Sequence, residues 1–211
     1  MKGPISIEIG WIDHTLAAEF PELTLRYVVV EARLEPSPPE LRGQLADLST
    51  RFRGWKAISL PTRPVPSAYR AFFRQVGLDP DVHRNPAEAV SYDRVMRGTY
   101  PSFNRVADSI RATIVETHIA LGALDADTLS GPLGIRPGEN GVLELFDADH
   151  SVGPLFGPLD GAFEPTARTQ RVAVTAVGVE GIPVWMIDHA LWRVADHLGS
   201  AVDSEEDPSV R

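Results

Sequence analysis

The apolar residues in the middle of the chain recur at the spacing of an amphipathic helix. Between residues 104 and 119, one stripe contains Val106, Ile110, Thr113, Ile114 and Thr117. The pattern predicts a central helix with this stripe on the core, because residues three and four apart share a helix face. Leu121-Gly122-Ala123 then breaks the period, which predicts a glycine loop that a ligand can approach closely.

Alternating or β-branched runs predict strands near both ends of the chain. The predicted strands cover 5–9, 23–34, 132–136, 141–146 and 171–179. Helical periods predict further helices over 37–52, 67–76, 85–97 and 187–198, and Ser37 and Asn85 are the predicted capping residues of the first and third of these. Consecutive helices between outer strands favour an α+β fold, with the helices clustered on a mixed sheet. We expect one domain over residues 3–199, a functional loop over 152–165 and an acidic, disordered tail over 200–211.

Composition narrows the classes of protein to which the chain can belong. The 211 residues carry a net charge of −9 and include no cysteine, which excludes disulfides, thiolate zinc sites and a cysteine nucleophile. The acidic balance argues against a broadly basic surface for DNA, although a local basic groove stays open. The absence of a long apolar run or a cleavable leader predicts a cytoplasmic protein without a membrane partner.

Candidate chemistry is sparse. No nucleotide-binding glycine loop, GxSxG elbow or HExxH helix is present, and no histidine pair has the spacing of a metal site. We therefore predict no metal and no cofactor. His118 ends the central helix beside the predicted glycine loop, where it either stabilises the helix dipole as a cation or acts as a base.

Six arginines lie on three successive predicted helices of this acidic chain. They are Arg70, Arg74, Arg94, Arg97, Arg105 and Arg111. Either they are solvated helix faces, or several guanidinium groups converge on a groove that binds phosphate or carboxylate.

Several short motifs follow one another in an order that resembles one known family. They are Asn104-Arg-Val-Ala-Asp108, Leu121-Gly-Ala-Leu-Asp125, Leu129-Ser-Gly131, Ile135-Arg136 and Gly138-Glu139, preceded by Tyr69-Arg70, Gly77-Leu-Asp-Pro80 and Asn85-Pro86 and followed by Arg168-Thr169. Together they resemble the B3/B4 domain, the editing module of the phenylalanyl-tRNA synthetase beta subunit, which also occurs as short free-standing proteins. The resemblance covers most of residues 5–198 and implies a B3/B4-like fold.

The resemblance also implies a set of ligand-binding positions. The asparagine, histidine and glutamate of the synthetase editing pocket fall here on Arg111, Gly122 and Thr175, whereas Asp125 and Thr169 keep their motif positions. We expect Gly122, Asp125, Arg136 and Thr175 to bind the ligand, and some of these residues and Arg111 to line the largest concave site. Because Thr175 replaces the glutamate that recognises a tyrosine hydroxyl, tyrosine specificity is not expected.

Three functions remain open from the sequence. The first is a trans-editing hydrolase of aminoacyl-tRNA or a related aminoacyl ester, in which Arg111 and the backbone amides of residues 121–123 bind the oxyanion and His118 is the base. The second is a non-catalytic module that binds a small anionic metabolite, an amino acid or an RNA end. The third, an interaction protein without a pocket, rests only on Trp185, Trp192 and the acidic tail.

Overall fold

The computed structural model describes residues 5–52, 54–138, 141–148 and 150–199 and has an α+β fold. The predicted tail over 200–211 lies outside the described residues. In chain order the elements are β1 (Glu8–Ile9), β2 (Trp11–Ile12), α1 (His14–Glu19), β3 (Thr24–Glu31), α2 (Pro39–Arg51), α3 (Gly54–Ser59), α4 (Pro64–Gln75), α5 (Pro86–Arg97), α6 (Arg105–Thr117), β4 (Ala120–Asp125), β5 (Leu133–Pro137), β6 (Leu143–Asp147), β7 (His150–Pro154), β8 (Arg171–Gly178) and α7 (Val184–His197).

The strands form two sheets instead of the single mixed sheet that the sequence predicts. The first sheet is antiparallel throughout, in the order β1-β3-β8-β4, and the second is mixed, in the order β2-β5-β6-β7. Gly10 carries the chain from one sheet to the other between β1 and β2. A Cβ at Gly10 would lie 2.7 Å from Leu25 Cδ2, so the close approach of the two sheets requires a glycine there.

The predicted central helix is confirmed as α6, and it lies among α2, α5, α7 and β4. Val106 and Ile114 are buried and Ile110 is partly buried, which confirms the predicted apolar face. The Asn104 side chain accepts a hydrogen bond from the Ala107 N–H at 2.9 Å and begins the helix. His118, in the left-handed conformation with φ 63°, ends it and turns the chain back toward the first sheet.

Two local predictions are wrong. The stretch around Gly122 is not a loop but strand β4, which pairs along its whole length with β8. Its sequence has few β-branched residues, so the pairing with β8 outweighs local propensity. Ser37 also does not cap α2; its hydroxyl instead donates to Asp108 on α6 at 2.5 Å.

None of the helices among the described residues combines the length and the apolar composition needed to cross a bilayer.

Candidate functional site

The first candidate site is a groove between α6 and β4, which we call the α6 groove. Its volume is about 360 Å³. The lining is apolar except for Asn104 and Arg111, and consists of Leu34, Val90, Asn104, Val106, Ala107, Ile110, Arg111, Ile114, Leu121, Gly122, Ala123 and Pro165. The buried face of α6 therefore forms one wall of a pocket, and Arg111 is the one charged residue among the described residues that line it.

Arg111 is held in place by groups of the protein itself. Its Nη1 donates to the Pro101 carbonyl at 2.6 Å and lies 3.8 Å from Asp108 Oδ1. The Phe103 ring lies 4.8 Å from the guanidinium carbon. Burial lowers the pKa of Arg111, and the neighbouring Asp108 opposes that shift. The side chain is thus oriented before any ligand arrives, which reduces the entropy lost on binding.

Asp108 organises the loop that holds Arg111. The carboxylate is fully buried and accepts hydrogen bonds from Ser37 Oγ, Ser102 Oγ and the Phe103 N–H at 2.5, 2.5 and 2.9 Å. These donors lie before α2 and before α6, so a single carboxylate joins two loops beside the groove. The sequence motif included Asp108, but nothing local indicated this role.

A second cavity, the Phe156 cavity, lies on the other face of β4 and has a volume of about 150 Å³. It is lined by Pro86, residues 120–124, Leu145, residues 154–157, Leu159, Thr175 and Val177. Residues 154–159 belong to the segment predicted as a functional loop, whose first part is strand β7. Phe156 packs edge-on against Tyr69 and Phe72, which anchors this wall of the cavity.

Gly122 borders both cavities and is paired with Thr175 across β4 and β8. A Cβ at Gly122 would lie 2.9 Å from Thr175 Oγ1, and the φ of Gly122 is not positive. A larger residue is therefore compatible with the backbone here but would project toward Thr175 and the Phe156 cavity.

The outer edge of β4 has backbone groups without partners. The Asp125 N–H donates to the Phe163 carbonyl and so points away from β8. The next N–H, that of Ala126, donates to the Arg171 carbonyl and so points toward β8. Because backbone groups of alternate residues in an antiparallel strand point to the same side, Leu121 and Ala123 also point outward. No hydrogen bond to either N–H occurs among the described residues. Of the three amides predicted to bind an oxyanion, those of Leu121 and Ala123 therefore point outward, whereas the Gly122 N–H points toward β8.

Two of the predicted ligand-binding residues lie away from these cavities. Asp125 is buried and accepts a hydrogen bond from Thr169 Oγ1 at 2.5 Å and one from the Asp127 N–H at 3.0 Å, which is a structural role. Arg136 lies on β5 in the second sheet, with its guanidinium carbon 3.8 Å from the centroid of the Phe146 ring. The structure thus brings Arg111, Gly122 and Thr175 around β4 and leaves Asp125 and Arg136 outside.

His118 lines a different cavity, of about 170 Å³, beside Arg51, Arg63 and Glu116. Burial, with a smaller contribution from Arg63, lowers the pKa of His118 to about 4. The ring is therefore neutral at pH 7 and cannot stabilise the helix dipole as a cation. Nor does it line the α6 groove, so the prediction that it is the base of that site is not supported by its position.

We expect His118 to make folding sensitive to mild acid. Because its folded-state pKa lies below the ordinary value of 6.5, the unfolded chain binds more protons between pH 6.5 and 4, and stability falls as the pH falls through this interval. Denaturation at pH 7 and pH 5 should show a smaller loss for His118→Asn than for the wild type, since asparagine tolerates the left-handed backbone. His197, whose pKa burial also lowers, leaves a residual loss in both proteins.

The matched control is His189→Asn, because His189 is an exposed histidine on α7. It should retain the acid sensitivity of the wild type. Equal losses for the wild type and His118→Asn would contradict the buried, neutral state of His118.

The six arginines do not converge on one groove. Arg70 pairs with Asp81 and Glu88, Arg97 with Asp93, and Arg111 with Asp108. Arg94 and Arg105 donate to the carbonyls of Ser49 and His197 at 2.8 and 2.9 Å. Most of these side chains hold neighbouring elements together, and only Arg111 lines the α6 groove.

A cavity larger than either of these lies elsewhere in the described part of the chain, and none of the residues predicted to line the largest concave site lines it. Its volume is about 460 Å³, and its lining is highly charged. The lining consists of Glu31, Ala32, Arg33, Glu35, Arg105, Asp127, Gln170, Arg171 and Leu198. Its carboxylates and guanidinium groups are equal in number, which favours no single ligand charge.

A scan of the chain against models of known protein families and a search of curated proteins both find no match.

Proposed function

We propose that this protein is a free-standing B3/B4-like domain that binds the aminoacyl group of an aminoacyl-tRNA or a related aminoacyl ester. The observation that carries the proposal is the position of β4, whose free edge borders an apolar groove on one face and a second cavity on the other. An aminoacyl ester likewise has a side chain and an esterified alcohol on opposite sides of its carbonyl. The motif positions Arg111 and Gly122 line the α6 groove.

Hydrolysis of the bound ester is the editing form of this function. It needs no covalent nucleophile, because a positioned water can attack a carbonyl whose developing negative charge is stabilised by hydrogen-bond donors. Outward amides of β4 and the guanidinium of Arg111 are donors of this kind beside the α6 groove. The predicted cytoplasmic location belongs to this proposal, since aminoacyl-tRNA is a cytoplasmic substrate.

A binding module without turnover is the second candidate, and one observation favours it. Among the described residues, neither the α6 groove nor the Phe156 cavity is lined by a histidine, aspartate or glutamate that could act as a general base. The ligand would then be an amino acid, a small anionic metabolite with an apolar part, or an aminoacylated RNA end. The same groove serves both candidates.

Deacylation of a panel of mischarged tRNAs by the purified protein separates the two candidates. Release of one amino acid above the uncatalysed rate supports the hydrolase, whereas thermal stabilisation by an amino-acid amide without release supports the binding module. Tyrosyl-tRNA charged on the phenylalanine tRNA should not be cleared, because Thr175 is too short to replace a glutamate as partner of the tyrosine hydroxyl. Neither release nor stabilisation with any member of the panel would contradict the proposal.

Gly122→Val is expected to remove ligand binding while lowering the free energy of unfolding by only about 1–2 kcal/mol. Its side chain would project toward Thr175 and narrow the Phe156 cavity, although the backbone conformation tolerates it. Gly161→Val is the matched control, since a Cβ at Gly161 meets nothing within 4 Å. Calorimetric titration and denaturation of both variants measure the two effects, and full ligand affinity in Gly122→Val would argue against this site.

A further inference from the structure

The free edge of β4 offers more than a single hydrogen-bond donor. Ala123 points both its N–H and its carbonyl away from β8, because the two backbone groups of one residue in an antiparallel strand face the same neighbour. In a hydrogen-bonded antiparallel pair, two facing residues exchange both bonds. One residue of a ligand is therefore enough to satisfy both groups of Ala123.

We propose that Ala123 recognises the main chain of the ligand, so that the site selects L-α-amino acyl groups that carry an N–H on the α-nitrogen. This inference rests on the proposed function and specifies its substrate class. The ligand amino group donates to the Ala123 carbonyl, and the ligand carbonyl accepts from the Ala123 N–H. Recognition by these two bonds does not depend on the identity of the ligand side chain.

The pairing also determines where the ligand side chain lies. Side chains alternate between the two faces of a strand, and Gly122 faces Thr175 and the Phe156 cavity, so Ala123 faces α6. Residues directly opposite each other in an antiparallel pair project their Cβ atoms to the same face. The side chain of an L-amino acid paired with Ala123 therefore enters the α6 groove beside Ile110 and Ile114, which favours an apolar side chain.

The same geometry gives Gly122 a role. A ligand antiparallel to β4 extends from Ala123 toward Leu121 after its carbonyl, so the esterified alcohol passes next to Gly122. The absence of a side chain at Gly122 leaves room at the mouth of the Phe156 cavity for that alcohol or for an attacking water. A D-amino acid, paired in the same way, would direct its side chain away from the α6 groove.

Three small ligands test the pairing on the full-length wild-type protein. They are L-phenylalaninamide, its enantiomer D-phenylalaninamide, and 3-phenylpropanamide, which lacks the α-amino group but keeps the ring and the carbonyl. We expect the L-amide to bind about tenfold or more tightly than either of the others. 3-Phenylpropanamide loses one buried hydrogen bond, and the D-amide leaves its ring outside the apolar groove. In amide NMR spectra the L-amide should shift the Leu121 and Ala123 signals most.

A pair of variants isolates the Ala123 N–H. Ala123→Pro removes it, and proline is tolerated on an edge strand where the N–H faces outward. Ala123→Gly keeps the N–H, although it too replaces the alanine side chain. The L-amide should bind the proline variant about tenfold more weakly than the glycine variant. If the proline variant does not fold, the comparison of the three ligands on the wild type still decides the question.

The outcomes separate this inference from the function on which it rests. Equal affinities for the three ligands, with chemical-shift changes centred on the α6 groove, would overturn main-chain recognition by Ala123 but leave the proposed binding function intact. Chemical-shift changes confined to residues far from β4 would also overturn main-chain recognition by Ala123. No binding of L-phenylalaninamide, L-leucinamide or L-methioninamide at millimolar concentration would overturn both.

Discussion

Replacing Asp108 by alanine is expected to lower the free energy of unfolding by about 3–5 kcal/mol. The substitution leaves the two serine hydroxyls, the Phe103 N–H and the half-buried Arg111 without the carboxylate that they share. An uncompensated guanidinium and several unpaired donors are costly in a buried setting, because water cannot replace the lost partner. Urea denaturation monitored by tryptophan fluorescence measures the loss.

Asp93→Ala is the matched control for this measurement. Asp93 also pairs with an arginine, Arg97 one helical turn away, but this pair is largely exposed. Exposed pairs of this kind contribute about 0–1 kcal/mol, so a small loss is expected. Similar losses for both variants would show that the Asp108 network does not hold the loops beside the α6 groove.

Tyr69→Phe is expected to lower the free energy of unfolding by about 1–3 kcal/mol, which is large for the removal of one oxygen atom. The Tyr69 hydroxyl is completely buried; it donates to the Val177 carbonyl at 2.6 Å and accepts from the Ala120 N–H at 3.0 Å. It thus bridges β4 and β8 at residues that face each other in the register. Without the hydroxyl, the buried Ala120 N–H and the buried Val177 carbonyl have no partner unless β4 and β8 move closer to each other.

Tyr92→Phe serves as the control, because Tyr92 is an exposed tyrosine on α5 that lies under Arg84 and keeps its ring in the variant. It should change stability by less than about 0.5 kcal/mol. Hydrogen exchange adds a local readout, since the Ala120 amide should exchange faster in Tyr69→Phe. Unchanged protection of the Ala120 amide from exchange would mean that β4 and β8 bond each other directly in the variant and that the Tyr69 hydroxyl contributes little to stability.

The sequence predicts the long helices because their signals are local. The apolar stripe of α6 and the cap Asn85 appear directly in the chain, and the Asn85 side chain accepts the expected bond from the Glu88 N–H. Asn104 caps α6 in the same way. Gly98 ends α5 in the left-handed conformation that glycine adopts at no cost. Each of these features needs only residues within about one helical turn of it.

The structure brings only some of the predicted site residues together, and the reason is geometric. Arg111 and Gly122 line one groove, and Thr175 faces Gly122, because α6, β4 and β8 are neighbours in space. Asp125 is at the end of the same strand but forms hydrogen bonds with Thr169, and Arg136 belongs to the other sheet. His118 follows α6 directly, yet it lies on a cavity with Arg63 instead.

The sequence by itself determined the long helices, the strongest strands and the α+β class, since hydrophobic period and capping act between residues that are close in the chain. The short helices α1 and α3 were not predicted. The tertiary structure decided that residues 120–125 form a strand, because their hydrogen-bond partners lie on β8, about 50 residues later. It also decided that Ser37 bonds Asp108 and that the N–H and carbonyl of Ala123 point away from β8. Hydrogen bonds between distant segments depend on register and packing, and neither is determined by the residues of one segment alone.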